Sequence, residues 1–345
     1  MKILFIGKKT EHLNNKINSL RLIKHDVDLL NTDNFFPFFR YSNYLFYRYN
    51  FSIFDLLIKF FYQKKVKSKY DLIFFFNSPY INRESILYLK TYAKKIIFYC
   101  SDNPFVKRDK NLWNSFLTSK NLYDLIIFQQ PNRAKYADDH NIKKYIIVPP
   151  SVDFTFFKKN VYKDVKKFDI TFVGTWFPER GKFFYELHKK GLEFKIFGTK
   201  WDKDKKYYKK IKNKINLGSI NFKKYKKIVN QTRINICLFS KENDDDITER
   251  CTEITSMGGM LFCQFSKTMN KLYKKNKEVI YFKNYNEFIN LYKKYSNNNS
   301  LLNKISLGGY KKTKFLNLDE KKVLNKILNL TLNIKNFNKK FIYKF

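Results

Sequence analysis

Asp245–Gly259, DDITERCTEITSMGG, is the most informative stretch of the chain. An apolar run, Ile234–Phe239, precedes it and a second, Met260–Phe265, follows. Between these two expected strands lie an acidic loop, a short helical segment carrying Arg250 and Glu253, and a break at Gly258-Gly259. Open α/β sheets present polar groups in this way at the carboxyl edge of their strands, where ligands bind. Glu253 falls one helical turn past Arg250, so both can face one ligand. The same pair also fits a surface helix with an internal ion pair.

The rest of the chain repeats this alternation of apolar runs and amphipathic segments. Strands are expected in the second half at Ile170–Val173, Phe194–Phe197, Ile234–Phe239, Met260–Cys263 and Val279–Phe282. Helices are expected there at Arg180–Lys189, Phe222–Val229, Arg250–Met257 and Glu287–Tyr295. In the first half the strands are Ile3–Ile6, Val27–Leu30, Leu72–Phe76, Ile96–Tyr99, Leu125–Phe128 and Tyr145–Val148, with helices such as Glu84–Ala93 and Asn132–Asp139. Strands that alternate with helices imply mostly parallel sheets with right-handed crossovers. Residues 35–65, dense in Phe and Tyr, read as a helical insertion that covers core or forms an acceptor surface. Pro149-Pro150-Ser151-Val152-Asp153 interrupts the pattern, and the charged stretch Lys158–Lys167 leads into the next strand. The expected organisation is a domain over 1–150, a linker over 151–167, a second domain over 168–318 and a helical tail over 319–345.

A chain of 345 residues, 44% hydrophobic, is long enough for two such cores. Its net charge of +39, from 69 Lys and Arg against 30 Asp and Glu, attracts polyanions. Lys, Asn, Ile, Phe and Tyr dominate throughout, as AT-rich coding produces, and the lysines are dispersed rather than gathered on one arm. That dispersal argues against specific nucleic-acid binding and leaves peripheral contact with an anionic membrane as an expectation. The four cysteines, Cys100, Cys237, Cys251 and Cys263, show neither a CxxC pair nor a metal-ligand spacing, and read as buried free thiols of a reducing cytoplasm. No apolar run approaches the roughly 18–20 residues that span a bilayer. The expected location is cytoplasmic, at most peripheral at the inner face of the membrane.

Phe172–Lys182, FVGTWFPERGK, is a strand, a glycine turn and a helix start. Gly174 admits close approach of a ligand to the backbone. The helix N-terminus that follows suits a phosphate, and Arg180 and Lys182 add positive charge. A plain strand-to-helix turn reads the same. With the Arg250/Glu253 segment, the motif points to a nucleoside diphosphate: phosphates near Gly174 and Arg180, ribose hydroxyls on Glu253, with Gly258 counted among the donor-binding residues. GxGxxG, the dinucleotide fingerprint, is absent. Gly198-Thr199-Lys200-Trp201 and Leu217-Gly218-Ser219 either line a base pocket or are turns.

These residues resemble the CgeB/YkvP-like glycosyltransferases, a branch of the GT-B superfamily related to glycosyltransferase family four. FVGTWFPER, FKIFGTKW, the strand Ile234–Phe239, RCTEITSMGG, KEVIYFKNYNEF and SLGGYKK carry the resemblance over nearly all of residues 168–315. ILFIG, FYCSDNP and VPPSVD match more loosely in the first half. The resemblance implies a GT-B fold, two Rossmann-like domains facing across a cleft that closes about Pro149–Asp153. It implies a retaining, metal-independent enzyme with no cofactor beyond its donor, a nucleotide-diphosphate sugar. The acceptor is expected to be a cell-surface glycan, a lipid-linked molecule or a protein.

In related enzymes two acidic residues separated by seven flank the donor, the second on the ribose. Asp245 and Glu253 have that spacing, with Asp where the pattern often has Glu. Related enzymes begin a basic phosphate-binding pair right after the glycine; here that position is Thr175, so the charge must come from Arg180, Lys182 or Arg250. Asp102, after the strand Ile96–Tyr99, is the first domain's candidate for contacting acceptor or transferred sugar, although Asp102-Asn103-Pro104 fits a helix cap or turn slightly better. Asp102, Arg180 and Asp245 are the expected catalytic residues. A GT-B shell that has lost catalysis and serves as a surface-layer or binding protein is the alternative.

Overall fold

The computed structural model describes residues 1–33, 39–49, 53–159, 166–333 and 340–341. Strands form where apolar residues run without interruption, as in Ile3–Ile6 and Leu72–Phe75, because both faces of a parallel sheet are covered. They are β1 (Lys2–Gly7), β2 (Asp26–Asn31), β3 (Tyr70–Phe76), β4 (Ala93–Cys100), β5 (Leu125–Phe128), β6 (Tyr145–Ile147), β7 (Phe168–Val173), β8 (Phe194–Gly198), β9 (Ile215–Leu217), β10 (Thr232–Cys237), β11 (Leu261–Gln264), β12 (Ile280–Phe282) and β13 (Lys340–Phe341). Two sheets result, ordered β13-β6-β5-β4-β3-β1-β2 and β12-β11-β10-β7-β8-β9. All of their pairings are parallel. Strand order reverses between β1 and β3 in the first sheet and between β7 and β10 in the second.

Polar caps set the helix starts. Thr10 accepts from the Leu13 N–H, Asn82 from Ser85, Asn221 from Lys224 and Asn284 from Glu287. The segment expected at Arg250–Met257 is a helix over Glu249–Ser256, and β10 ends at Cys237 rather than Phe239. In SLGGYKK, Gly308 lets the helix Asn299–Phe315 lie against the backbone; a Cβ there would stand 2.1 Å from the Lys277 carbonyl oxygen.

Contacts divide the chain into two units. The first comprises Met1–Pro149, Lys241–Asp245 and the C-terminal segment from Glu320; the second comprises Pro150–Ser240 and Asp246–Asp319. Ile3, Phe5, Phe74, Ile97 and Ile127 centre the first core, which also takes Val323, Leu324, Ile327 and Leu328 from the helix Glu320–Leu332. That helix lies in the segment read from sequence as a tail. Its Glu320 carboxylate accepts from Lys16 Nζ at 2.6 Å, and both side chains are buried. Residues 334–339 and 342–345 of the expected tail, and 160–165 of the expected linker, lie outside the described residues. The described start of the linker joins the second unit through Val152 N–H to the Leu318 carbonyl at 2.9 Å and the buried Phe157.

The second unit has a core on each face of its sheet. Phe172, Phe184, Trp201, Ile234, Phe262 and Phe288 fill one. Tyr225, Cys237, Cys251, Ile254, Cys263 and Tyr281 fill the other. The four cysteines are free and buried. Cys251 Sγ stands 3.5 Å from Cys237 Sγ and 3.8 Å from Cys263 Sγ, a meeting of β10, β11 and the helix between them that linear spacing does not announce. In the insertion expected over 35–65, helices run over Phe39–Arg48 and Ile53–Lys65, and residues 34–38 and 50–52 lie outside the described residues. Phe46, Phe54, Ile58 and Tyr62 are buried, so part of it does cover core.

Candidate functional site

At the carboxyl edge of β7, β8 and β10 the second unit gathers most of the expected donor residues. Gly174 follows β7 and its N–H donates to the Phe197 carbonyl at 2.9 Å. Its own carbonyl accepts from the Trp201 indole at 3.0 Å. Gly198, at the end of β8, is required by this junction, since a Cβ there would lie 2.0 Å from the Gly174 oxygen. Thr175 and Thr199 hydroxyls stand 3.1 Å apart. Trp201 has no exposed surface and belongs to the core. Of the two readings of Gly198–Trp201, the turn is therefore the one the structure shows: Trp201 holds the backbone of the glycine loop instead of lining a pocket.

Arg180 differs from expectation in the same way. It sits in the first turn of the helix Pro178–Lys189 with 6% of its surface exposed. Nη1 donates to the Thr175 carbonyl at 2.5 Å and Nη2 to the Leu238 carbonyl at 3.0 Å. Phe172 and Phe177 rings lie 5.1 and 4.6 Å from the guanidinium carbon. Arg180 thus ties the loop after β7 to the end of β10, across the point where strand order reverses. Lys182, two residues on, is exposed, with Nζ 6.0 Å from the Tyr285 ring centroid.

The helix Glu249–Ser256 carries Arg250 and Glu253 on one face. Arg250 Nη1 donates to Glu253 Oε2 at 2.7 Å, and the guanidinium stacks 4.0 Å from the Tyr225 ring centroid. Glu253 is buried, while the Arg250 side chain keeps 30% of its surface in solvent. Burial disfavours the Arg250 charge, but Glu253 and Tyr225 outweigh it and hold its pKa above the ordinary value. This is a preorganised cation–carboxylate pair. Gly258 is the exception among the donor residues. The helix runs back along the sheet, at about 1.5 Å per residue, so Gly258 lies just before β11 at the opposite edge from Gly174. Its positive φ of 72° ends the helix, and a cavity of about 540 Å³ beside it is lined by Lys159, Arg233 and Asn303.

Asp245 belongs with the first unit, whereas Glu253 belongs with the second. The Asp245 carboxylate accepts from Asn243 Nδ2 at 2.5 Å, Gln130 Nε2 at 2.7 Å and Arg133 Nη2 at 3.5 Å. Burial raises its pKa against the opposing pull of Gln130, Arg133 and Asn243. Burial likewise lowers the pKa of Arg133, against the attraction of Asp245 and Asp244. Sequence reasoning missed this cradle. Arg133 also donates to the Asn243 and Asp244 carbonyls at 2.8 and 2.9 Å, and Asn103 N–H to Asn243 Oδ1 at 3.1 Å. Its only signal was polar residues, Gln129-Gln130-Pro131-Asn132-Arg133, directly after β5.

Asp102 lies in the loop after β4 and is one-third exposed. Its carboxylate accepts from Arg108 Nη2 at 3.0 Å and Asn77 Nδ2 at 2.5 Å. Asn77 directly follows β3 and has a positive φ of 47°. The carboxylate is thus held by side chains at the carboxyl edge of the first sheet.

A family model described as "Glycosyl transferase-like" matches residues 180–318. Sucrose-phosphate synthase from Thermosynechococcus elongatus superposes with a TM-score of 0.75 at 9% identity, covering 97% of this chain and 99% of that one. HepE from Anabaena in complex with UDP-glucose superposes with a TM-score of 0.68 at 11% identity, covering 96% and 100%. The fold is GT-B. The pneumococcal O-GlcNAc transferase GtfA, in complex with UDP and GlcNAc, is similar over 81% of this chain and 60% of its own, with a TM-score of 0.56 and 13% identity. No curated protein sequence matches the chain.

Proposed function

We propose that this chain is a glycosyltransferase that moves a sugar from a nucleotide-diphosphate sugar to a cell-surface glycan, lipid-linked or protein acceptor. One observation carries the reading: the buried Glu253 carboxylate, oriented by Arg250 on the helix that follows β10. A carboxylate so placed accepts hydrogen bonds from a ribose diol. Support comes from the "Glycosyl transferase-like" match and from similar GT-B structures in complex with UDP or UDP-glucose. By analogy with those complexes, a uridine diphosphate sugar is the first donor to try.

In this mechanism the diphosphate lies at the Gly174–Thr175 loop and the helix start behind it. Arg250, partly exposed beside Glu253, is the cation best placed to follow the charge that develops on the leaving diphosphate. Arg180 acts as a positioning residue, because its Nη1 and Nη2 hold the loop carbonyls. Lys182 adds diffuse positive charge. Asp102 and Asp245 serve the transferred sugar and acceptor from the first unit. Transfer proceeds with retention and without a metal, as the family resemblance implies. Incubation with UDP-glucose and related donors in EDTA tests the reading: release of the nucleoside diphosphate supports it, and no turnover with any donor contradicts it.

One observation favours a second reading, a GT-B binding protein without transfer. Thr175 stands where related enzymes carry a base, and Arg180 is committed to backbone carbonyls. That reading gives diphosphate binding with no turnover.

A further inference from the structure

The helices Phe39–Arg48 and Ile53–Lys65, between β2 and β3, pack on the first unit through Phe46, Phe54, Ile58 and Tyr62, with Phe46 and Phe54 rings edge to face at 5.4 Å. Their described outer positions mix exposed apolar and aromatic side chains with charged ones. Tyr41, Tyr44 and Tyr49 are exposed on and just after the first helix, and Leu56, Leu57 and Phe60 on the second, with Leu56 at 65% and Phe60 at 62%. Elsewhere among the described residues such side chains are scattered, as at Leu87, Leu217, Phe265 and Phe315. From Arg40 to Lys69 the sequence holds seven basic residues, Arg40, Arg48, Lys59, Lys64, Lys65, Lys67 and Lys69, against one acid, Asp55. Asp55 is itself engaged by Asn82 Nδ2 at 3.1 Å, and Lys59 reaches Glu84 at 3.7 Å.

Aromatic and aliphatic side chains on the outer face of a helix, flanked by long basic ones, match the interface of an anionic bilayer. The rings and Leu side chains enter the acyl boundary while Lys and Arg remain among the headgroup phosphates. We propose that these two helices are a membrane-docking face that seats the first unit on anionic lipid. The face goes beyond the sugar-transfer reading and does not depend on it.

The test is co-sedimentation of the full chain with vesicles of phosphatidylglycerol and phosphatidylcholine, and with phosphatidylcholine alone. Binding to the anionic vesicles alone, weakened by 0.5 M salt, is expected. The L56S/F60S variant, which keeps every charge and alters only exposed positions, should bind at least about tenfold more weakly with an unchanged circular dichroism spectrum. F315S, an exposed change in the second unit, should bind as the wild type does. Failure of the wild type to bind, equal binding to neutral vesicles, or L56S/F60S binding at full strength would each overturn the proposal. So would a dimer that L56S/F60S converts to monomer, because the face would then be covered by a second copy.

Discussion

Glu253 Oε2 accepts a hydrogen bond from Arg250 Nη1 at 2.7 Å, three residues earlier on the same helix. The carboxylate is buried and the guanidinium is partly exposed, stacked on Tyr225. One carboxylate oxygen is therefore fixed by an internal partner, which orients the group as a whole. Substituting Arg250 by Met should weaken donor binding by about tenfold to a hundredfold, the range expected for loss of a charge-assisted hydrogen bond. Titration calorimetry with the best-binding diphosphate measures it.

Arg180→Met should act on the fold before it acts on chemistry. It leaves the Thr175 and Leu238 carbonyls without their guanidinium donors, at a cost of about 2–4 kcal/mol. Lys at this position should not restore stability, because a single ammonium cannot span both carbonyls in the plane between Phe172 and Phe177. Urea denaturation midpoints decide the point.

Asp245 gives a pH signature. Its folded pKa is raised, so its ionised form opposes folding. That opposition is absent below the ordinary carboxylate pKa of about 3.9 and complete above the raised value. Asp245→Asn should therefore gain stability relative to wild type at pH 7.5, and the gain should shrink as pH falls through the carboxylate range. Paired melting curves across that range check the sign.

Lys16 and Glu320 join the C-terminal helix to the first core. Lys16→Met alone removes the charged donor 2.6 Å from the buried Glu320 carboxylate and should cost about 3–5 kcal/mol. The double variant with Glu320→Met should recover much of that loss, since a pair of apolar groups replaces a pair of buried charges. Denaturant melts of the two variants measure the coupling.

Strand positions were read from uninterrupted apolar runs because parallel sheets bury both faces. Runs such as Leu72–Phe76 can hardly be anything else. β9 and β13 escaped because three and two residues carry no periodicity. Residue type pointed to the carboxyl edge of the sheet for Gly174 and Gly198, which stand at the ends of β7 and β8. It misjudged Arg180 and Trp201, which look like ligand-binding groups but satisfy backbone carbonyls. Gly258 was misplaced because a helix of eight residues carries the chain to the other edge of the sheet. The Arg133–Asn243–Asp245 cradle joins residues more than a hundred positions apart, and no local pattern encodes it.

The most direct test of the donor site at Glu253 is a thermal-shift screen of wild type and Glu253→Ala against UDP, GDP, ADP, CMP and dTDP in EDTA. A ligand that binds only the folded chain raises its melting temperature by mass action. The expected result is one diphosphate that stabilises the wild type without metal and leaves Glu253→Ala, still folded, at its unliganded melting temperature. No shift with any nucleotide, or an equal shift in Glu253→Ala, would contradict the account.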